Sequence, residues 1–124
     1  MRRRRIAFAT NEKKGLEDCI SKVFGRAQTF TVLDIEGERV TDIRIMDNPA
    51  KTYHHGAGPI AVKMLVDESV EAILANELGI GASELLKQHN ILHIPVNPNM
   101  KVGEAFREAI NKPELERISA EVRE

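Results

Sequence analysis

Two adjacent histidines, His54 and His55, stand in a polar stretch that also carries Gly56 and Gly58. Imidazole suits iron, copper and zinc. It cannot ligate once protonated, so such a site weakens below about pH 6. Adjacent side chains rarely both reach one ion, so one of the pair is the candidate ligand; the competing reading is two solvated loop histidines. Cys19 offers a thiolate or, equally, a small apolar side chain in a turn. As the single cysteine of the chain it cannot supply a four-thiolate set. Arg26, after Phe24-Gly25, carries a guanidinium fork for an anionic ligand, or for an acidic neighbour. Asn76, Gly79 and Gly81 precede a helical pattern, where backbone N–H groups can approach an anion closely. Asn11 opens the loop after the first apolar segment. His89 and His93 read as structural. The run Arg2-Arg3-Arg4-Arg5 is either a phosphate contact or a solvated chain end.

Catalytic signatures are sparse. A metal-dependent nuclease of a related layout needs a carboxylate on its first strand. Residues 6–10, Ile-Ala-Phe-Ala-Thr, carry none. No Ser/His/Asp or Cys/His arrangement has motif support. Composition narrows the classes further. The 124 residues suit one domain, and 42% apolar content is that of a globular chain. Formal net charge is -1 and aromatics are 4%, with no Trp. There is thus no general attraction to polyanions and no aromatic platform for bases, so nucleic acid is not an expected partner. One unpaired cysteine favours the cytoplasm. The apolar run after the arginines is too short for a signal core, and no run approaches a membrane span.

The elements that must position these residues follow from periodicity. Residues 6–10 read as a buried strand and residues 11–15 as a loop. Leu16, Ile20, Val23 and Phe24 recur at helical spacing, giving a short helix or helical turn ended by Gly25. Two β-rich runs, residues 28–35 and 40–46, flank the Gly37 turn as a hairpin. Residues 47–58 read as a long polar loop, with residues 47–56 expected to be mobile and to have few buried contacts. Ala57, Ile60, Ala61, Met64 and Leu65 mark an amphipathic helix with Pro59 in its first turn. Residues 70–75 form a strand apolar on both faces. Ala82, Leu85, Leu86 and His89 mark a second helix, residues 91–96 a last strand, and Val102, Ala105, Phe106, Ala109 and Ile110 a third helix. The folded domain is expected over residues 1–111, with a charged, frayed tail over 112–124.

A hairpin gives antiparallel pairing and helical crossovers give parallel pairing. The order predicts an α/β fold of ribonuclease H-like layout. It has a five-stranded mixed sheet, order 3-2-1-4-5, with strand 2 antiparallel and helices on both faces. Ligands of such sheets sit beyond the C-terminal strand ends where strand order reverses, here between strands 1 and 4. The loops bearing Asn11, His54-His55 and Asn76 to Gly81 leave that edge.

Gly15-Leu16, Phe24-Gly25-Arg26-Ala27, Asp47-Asn48-Pro49, Gly56-Ala57-Gly58 and Gly79-Ile80-Gly81-Ala82 stand in one order. Over residues 5–110 this set resembles the dinitrogenase iron–molybdenum cofactor-binding family, of the NifX and NifB C-terminal type. The resemblance implies a non-catalytic protein that binds or carries an iron–sulfur or iron–molybdenum type cluster between donor and acceptor proteins. The loops at that sheet edge offer Asn11, Arg26, His54, His55, Gly56, Gly58, Asn76, Gly79 and Gly81 as the residues that would meet such a cofactor; His54, His55 and Cys19 are the metal-ligand candidates, although Cys19 stands where members often carry a non-ligand residue. Where many members carry His before Phe-Gly-Arg, this chain has Val23. Two alternatives stand beside it: a regulatory or scaffold protein of the same fold without a cluster, and a degenerate nuclease-fold enzyme. Oligomeric state is left open.

Overall fold

In the computed structural model, which describes residues 3–113 and 115, the strands alternate their side chains between two apolar layers. Strand β1 (Arg3–Thr10) sends Ala7 and Ala9 to one layer and Ile6 and Phe8 to the other; β2 (Thr29–Glu36) sends Phe30 and Val32 one way, Leu33 and Ile35 the other. This is the period-2 pattern of a sheet buried on both faces. Strand β3 (Arg39–Asp47), helix α1 (Ala57–Asp67), β4 (Ala72–Ala75), α2 (Ile80–Gln88), β5 (Leu92–Pro95) and α3 (Val102–Ala109) complete the order. The sheet runs β3-β2-β1-β4-β5. β2 is antiparallel to β1 and β3, while β4 is parallel to β1 and β5. Fold class and strand order are those read from the sequence.

Helices α1 and α2 cover one face through Ala61, Val62, Leu65, Ala82 and Leu86, above Ile73 and the tilted Phe24–Phe30 ring pair at 5.4 Å. Helix α3 covers the other through Val102, Ala105, Phe106 and Ala109. Each fully buried Leu, Ile or Phe contributes about 1.5–3 kcal/mol, and both layers are needed for a chain of this length.

Four local readings differ from the sequence expectation. The helix over Leu16–Phe24 shrinks to a 3-10 turn at Gly15–Glu17. Asp18, 2% exposed, instead takes the backbone N–H groups of Glu12, Lys14 and Cys19 on its carboxylate. Local side-chain acceptance of this kind competes with helix formation. Ile20 then bridges Thr10, and Cys19 bridges Lys101. Second, the 47–58 loop is not wholly solvated: Asn48 and Ala50 are fully buried between exposed neighbours, and the continuously exposed part runs from Lys51 to Gly56. Third, the arginine run is not a loose end. Arg4 is 7% exposed and donates to the Gly37 carbonyl at 2.7 Å and to that of Leu115 at 3.2 Å. Arg5 pairs with Asp34 at 2.6 Å, while Arg2 lies outside the described residues. Fourth, Leu115 is buried in the α3-side layer, so packing continues past Asn111; the remainder of the 112–124 tail, apart from residues 112 and 113, lies outside the described residues. His89 caps the end of α2, exposed beside Leu85 and α1.

Candidate functional site

Three glycine-bearing segments meet above the C-terminal ends of β1 and β4, and small residues are what allow it. A Cβ built on Gly25 would stand 2.6 Å from the Gly58 nitrogen and 2.9 Å from its Cα. A Cβ on Gly58 would stand 3.2 Å from that of Ala82. Gly25, Gly58 and Ala82 are therefore stacked at backbone contact, and they join Phe24-Gly25-Arg26 to the first turns of α1 and α2. Asn48 fixes the first segment from below. Its side-chain amide donates to the carbonyls of Gly25 at 2.8 Å and Ala27 at 2.9 Å, and its Oδ1 accepts the Ala50 N–H at 3.0 Å. A buried amide with every one of these bonds made holds the turn in one conformation.

The result is a cleft of about 490 Å³. Its walls are residues 22–26, residues 57–59 and the Glu77-to-Ala82 segment. Helices α1 and α2 both begin on this cleft, and neither has a side-chain cap. The first N–H groups of such helices are left for solvent or ligand, and the helix dipoles favour an anion. Gly56 takes the residue before α1 into the left-handed region, φ 76, which a β-carbon would strain. Lys22 and Arg26 bring two positive charges to the lining and Glu77 one negative. Neither cation is engaged by a carboxylate among the described residues.

A short relay spans the walls. The His93 Nε2–H is shared between the carbonyls of Ala75 at 3.2 Å and Asn76 at 3.1 Å, since carbonyl oxygens can only accept. The Asn76 amide donates across to the Lys22 carbonyl at 3.4 Å. His93 thus has the structural role read from the sequence, and it steadies the loop that leaves β4.

Of the residues singled out in the sequence, the structure gathers Arg26, Gly58, Gly79 and Gly81 in the cleft wall. Asn76 stands at its edge. His54 and His55 are exposed, shortly before Ala57, and are not part of the lining; nor are Asn11 and Gly56. Cys19 is half-buried beside Lys101, near the start of α3. Among the described residues no group of three or more His, Cys, Asp or Glu side chains gathers that could hold a metal ion. Sequence reasoning missed Lys22, Asn48 and Asp18. Asn48 had a visible signal, an Asn-Pro step able to turn the chain on its own side chain. Asp18 takes its donors from residues 12, 14 and 19, a local turn that apolar periodicity does not register.

Cleft, stacked glycines and the Asn48 clamp use four of the five motif segments; Gly15-Leu16 lies apart from them, against Ile43 and Gly103. The chain belongs to the Dinitrogenase iron-molybdenum cofactor family, matching it over residues 3–112. This family is of a cofactor-binding type. Structural likeness agrees. The apo orange protein of Desulfovibrio gigas superposes with a TM-score of 0.80 at 26% identity, covering 87% of this chain and 88% of that one. A NifB-like protein of Thermotoga, TM1290, gives 0.71 at 28% identity, with 86% of each chain covered. An uncharacterised protein of Methanocaldococcus jannaschii, MJ0580, is 29% identical over 72 residues. That match covers 58% of this chain and 61% of the relative, so it spans less than two thirds of that protein. Among the described residues no helix is long and apolar enough to cross a membrane.

Proposed function

We propose that the protein binds an anionic metal–sulfur cluster, of iron–sulfur or iron–molybdenum type, in the Arg26 cleft and carries it between donor and acceptor proteins. The observation that supports this most directly is the convergence of two uncapped helix N-termini on one cleft that also holds Lys22 and Arg26. Backbone N–H groups and the two cations suit the sulfides of a cluster with negative charge. The cargo is held from outside its metal shell by hydrogen bonds and charge, with His54 or His55 supplying a ligand from the neighbouring exposed loop. An open cleft with few direct ligands suits a protein that must release what it carries. The cluster is cargo rather than a catalytic centre, and the site is placed in the cytoplasm.

Anaerobic titration with a reconstituted iron–sulfur cluster or with thiomolybdate, followed by visible absorption, tests this. The native chain is expected to take up the cluster. Arg26→Ala is expected to weaken uptake at least about fivefold, roughly 1 kcal/mol for one charge-assisted contact. The His54→Ala, His55→Ala double variant separates the two modes of holding. Equal uptake by that variant and by the native chain removes the histidines from the site. No uptake by the native chain under conditions that load a known carrier favours a scaffold role for the same fold.

A further inference from the structure

We infer that a second copy of this chain pairs with the outer edge of β3, joining the two five-stranded sheets into one continuous sheet about a two-fold axis at Ile43. Among the described residues β3 is an end strand of the sheet, and the backbone groups on its outer side have no described strand beside them. Proteins commonly blunt such an edge with Pro, Lys or a bulge. Residues 39–47, Arg-Val-Thr-Asp-Ile-Arg-Ile-Met-Asp, contain no Pro and no Lys, and their one bulge, at Thr41, lies to one side of Ile43. They carry Ile43 and Ile45, 40% and 38% exposed, on the same strand.

The sides of the strand are fixed by its contacts. Arg44 reaches Glu68, at the end of α1, at 3.0 Å, and Met46 packs on the α1–α2 layer. Ile43 and Ile45 alternate with these and so face the α3 side. Val40 also packs on the α3-side layer, because the strand carries a bulge. Asp42 pairs with Asp34 and Val40 with Ile35, leaving Thr41 over.

An antiparallel copy centred on Ile43 then sets Ile43 against Ile43. Asp42 lies opposite Arg44 of the second copy, and Arg44 opposite its Asp42. With Thr41 bulged out of the count, Val40 falls opposite Ile45. The α3 side becomes an unbroken apolar row of Val40, Ile45 and Ile43 from both copies, and the other side carries two opposite-charge pairs. Directly opposed side chains of these kinds favour pairing. The neighbouring symmetric registers do not offer this. Centring on Arg44 opposes two arginines, centring on Asp42 opposes two aspartates, and centring on Ile45 sets Ile43 against Asp47. The sequence of the edge is therefore complementary to itself in one register. The cleft lies at the β1–β4 boundary, with β2 between it and this edge, and pairing leaves it open.

Sedimentation velocity on the full chain over a range of concentrations tests this, with circular dichroism to confirm that each variant is folded. The native chain is expected at twice its chain mass at high concentration. Ile43→Lys sets two ammonium groups at the axis and is expected to weaken the dimer at least about tenfold. Asp42→Arg alone opposes arginines, and Arg44→Asp alone opposes carboxylates, so each alone is expected to be monomeric. Mixed in equal amounts they restore both opposite-charge pairs, and the mixture is expected to dimerise. A native chain that stays monomeric overturns the inference. So does a dimer indifferent to these variants, or a mixture no tighter than its components.

Discussion

Gly25 has no side chain because there is no room for one. Gly25→Ala drives a Cβ against the backbone of Gly58, at 2.6 and 2.9 Å. Backbone cannot swing aside as a flexible side chain can, so the α1 turn or the Phe24–Ala27 turn must shift. The expected loss is about 1–3 kcal/mol, as for overpacking elsewhere, with weakened anion binding because the shift opens the cleft. Gly79→Ala is the matched control. A Cβ there meets nothing within 4 Å, and the backbone at φ -70 is ordinary for any residue. Its cost is expected below about 0.5 kcal/mol. Denaturant unfolding of both variants separates the cases; equal effects would mean the glycines are not stacked as described. The candidate residues were partly legible in the sequence. Gly25, Gly58 and Gly81 stood out as motif glycines, but which glycine touches which backbone depends on helices that arrive from distant parts of the chain.

The turn Gly15–Glu17 and helix α3 are held together at the surface by Glu17 and Lys101, 2.9 Å apart. The hydrogen bond from Lys101 holds the Glu17 carboxyl below its ordinary value, and the bond to Glu17 holds the Lys101 ammonium above its own. A carboxyl lowered in the folded state stabilises above its unfolded pKa, near 4.5, and loses that contribution as pH falls through the folded value. An ammonium raised in the folded state contributes fully below its unfolded pKa, near 10.5, and loses it as pH rises through the folded value. The pair therefore stabilises the join between those limits. Glu17→Gln is expected to lower the thermal midpoint slightly at pH 7, and the deficit is expected to shrink on acidification as the native carboxyl takes up its proton. A deficit that persists unchanged at pH 3 would assign the effect to packing. Elements were read well where apolar periodicity was long, as in α1 and α3. The 16–24 segment was read as a short helix or helical turn because its apolar residues recur at helical spacing; only a turn forms, at Gly15–Glu17, and Ile20 and Phe24 are buried on opposite layers of the sheet. An irregular chain crossing a sheet end can produce the same spacing as a helix face.

At the scale of the whole molecule, Arg4 joins the start of the chain to the β2–β3 turn and to Leu115 near the far end. Arg4→Gln is expected to cost about 1–3 kcal/mol, since buried carbonyl acceptors lose a charged donor. Arg3→Gln should fall within about 0.5 kcal/mol, because Arg3 is 86% exposed and 3.5 Å from Glu36. Equal unfolding midpoints for the two variants would contradict the buried role of Arg4. The same contrast argues against the run serving as a free polycation, because Arg4 and Arg5 are already committed to partners within the fold.

What the sequence determined by itself was the order of elements, and through it the topology. Apolar alternation, the Gly37 turn and the three helical patterns are local, and the rules of hairpin and crossover connection convert their order into β3-β2-β1-β4-β5. It also determined family membership, because motif order survives without coordinates. Only the tertiary structure decided which of those motifs share a wall. It brought Arg26, Gly58, Gly79 and Gly81 to one cleft, added Lys22, and left His54 and His55 exposed outside the lining. Loops have no period to read, and their positions follow from contacts between residues far apart in the chain, such as Asn48 with Gly25 and Gly25 with Gly58. Those contacts exist only once the sheet has brought the three segments to the same edge.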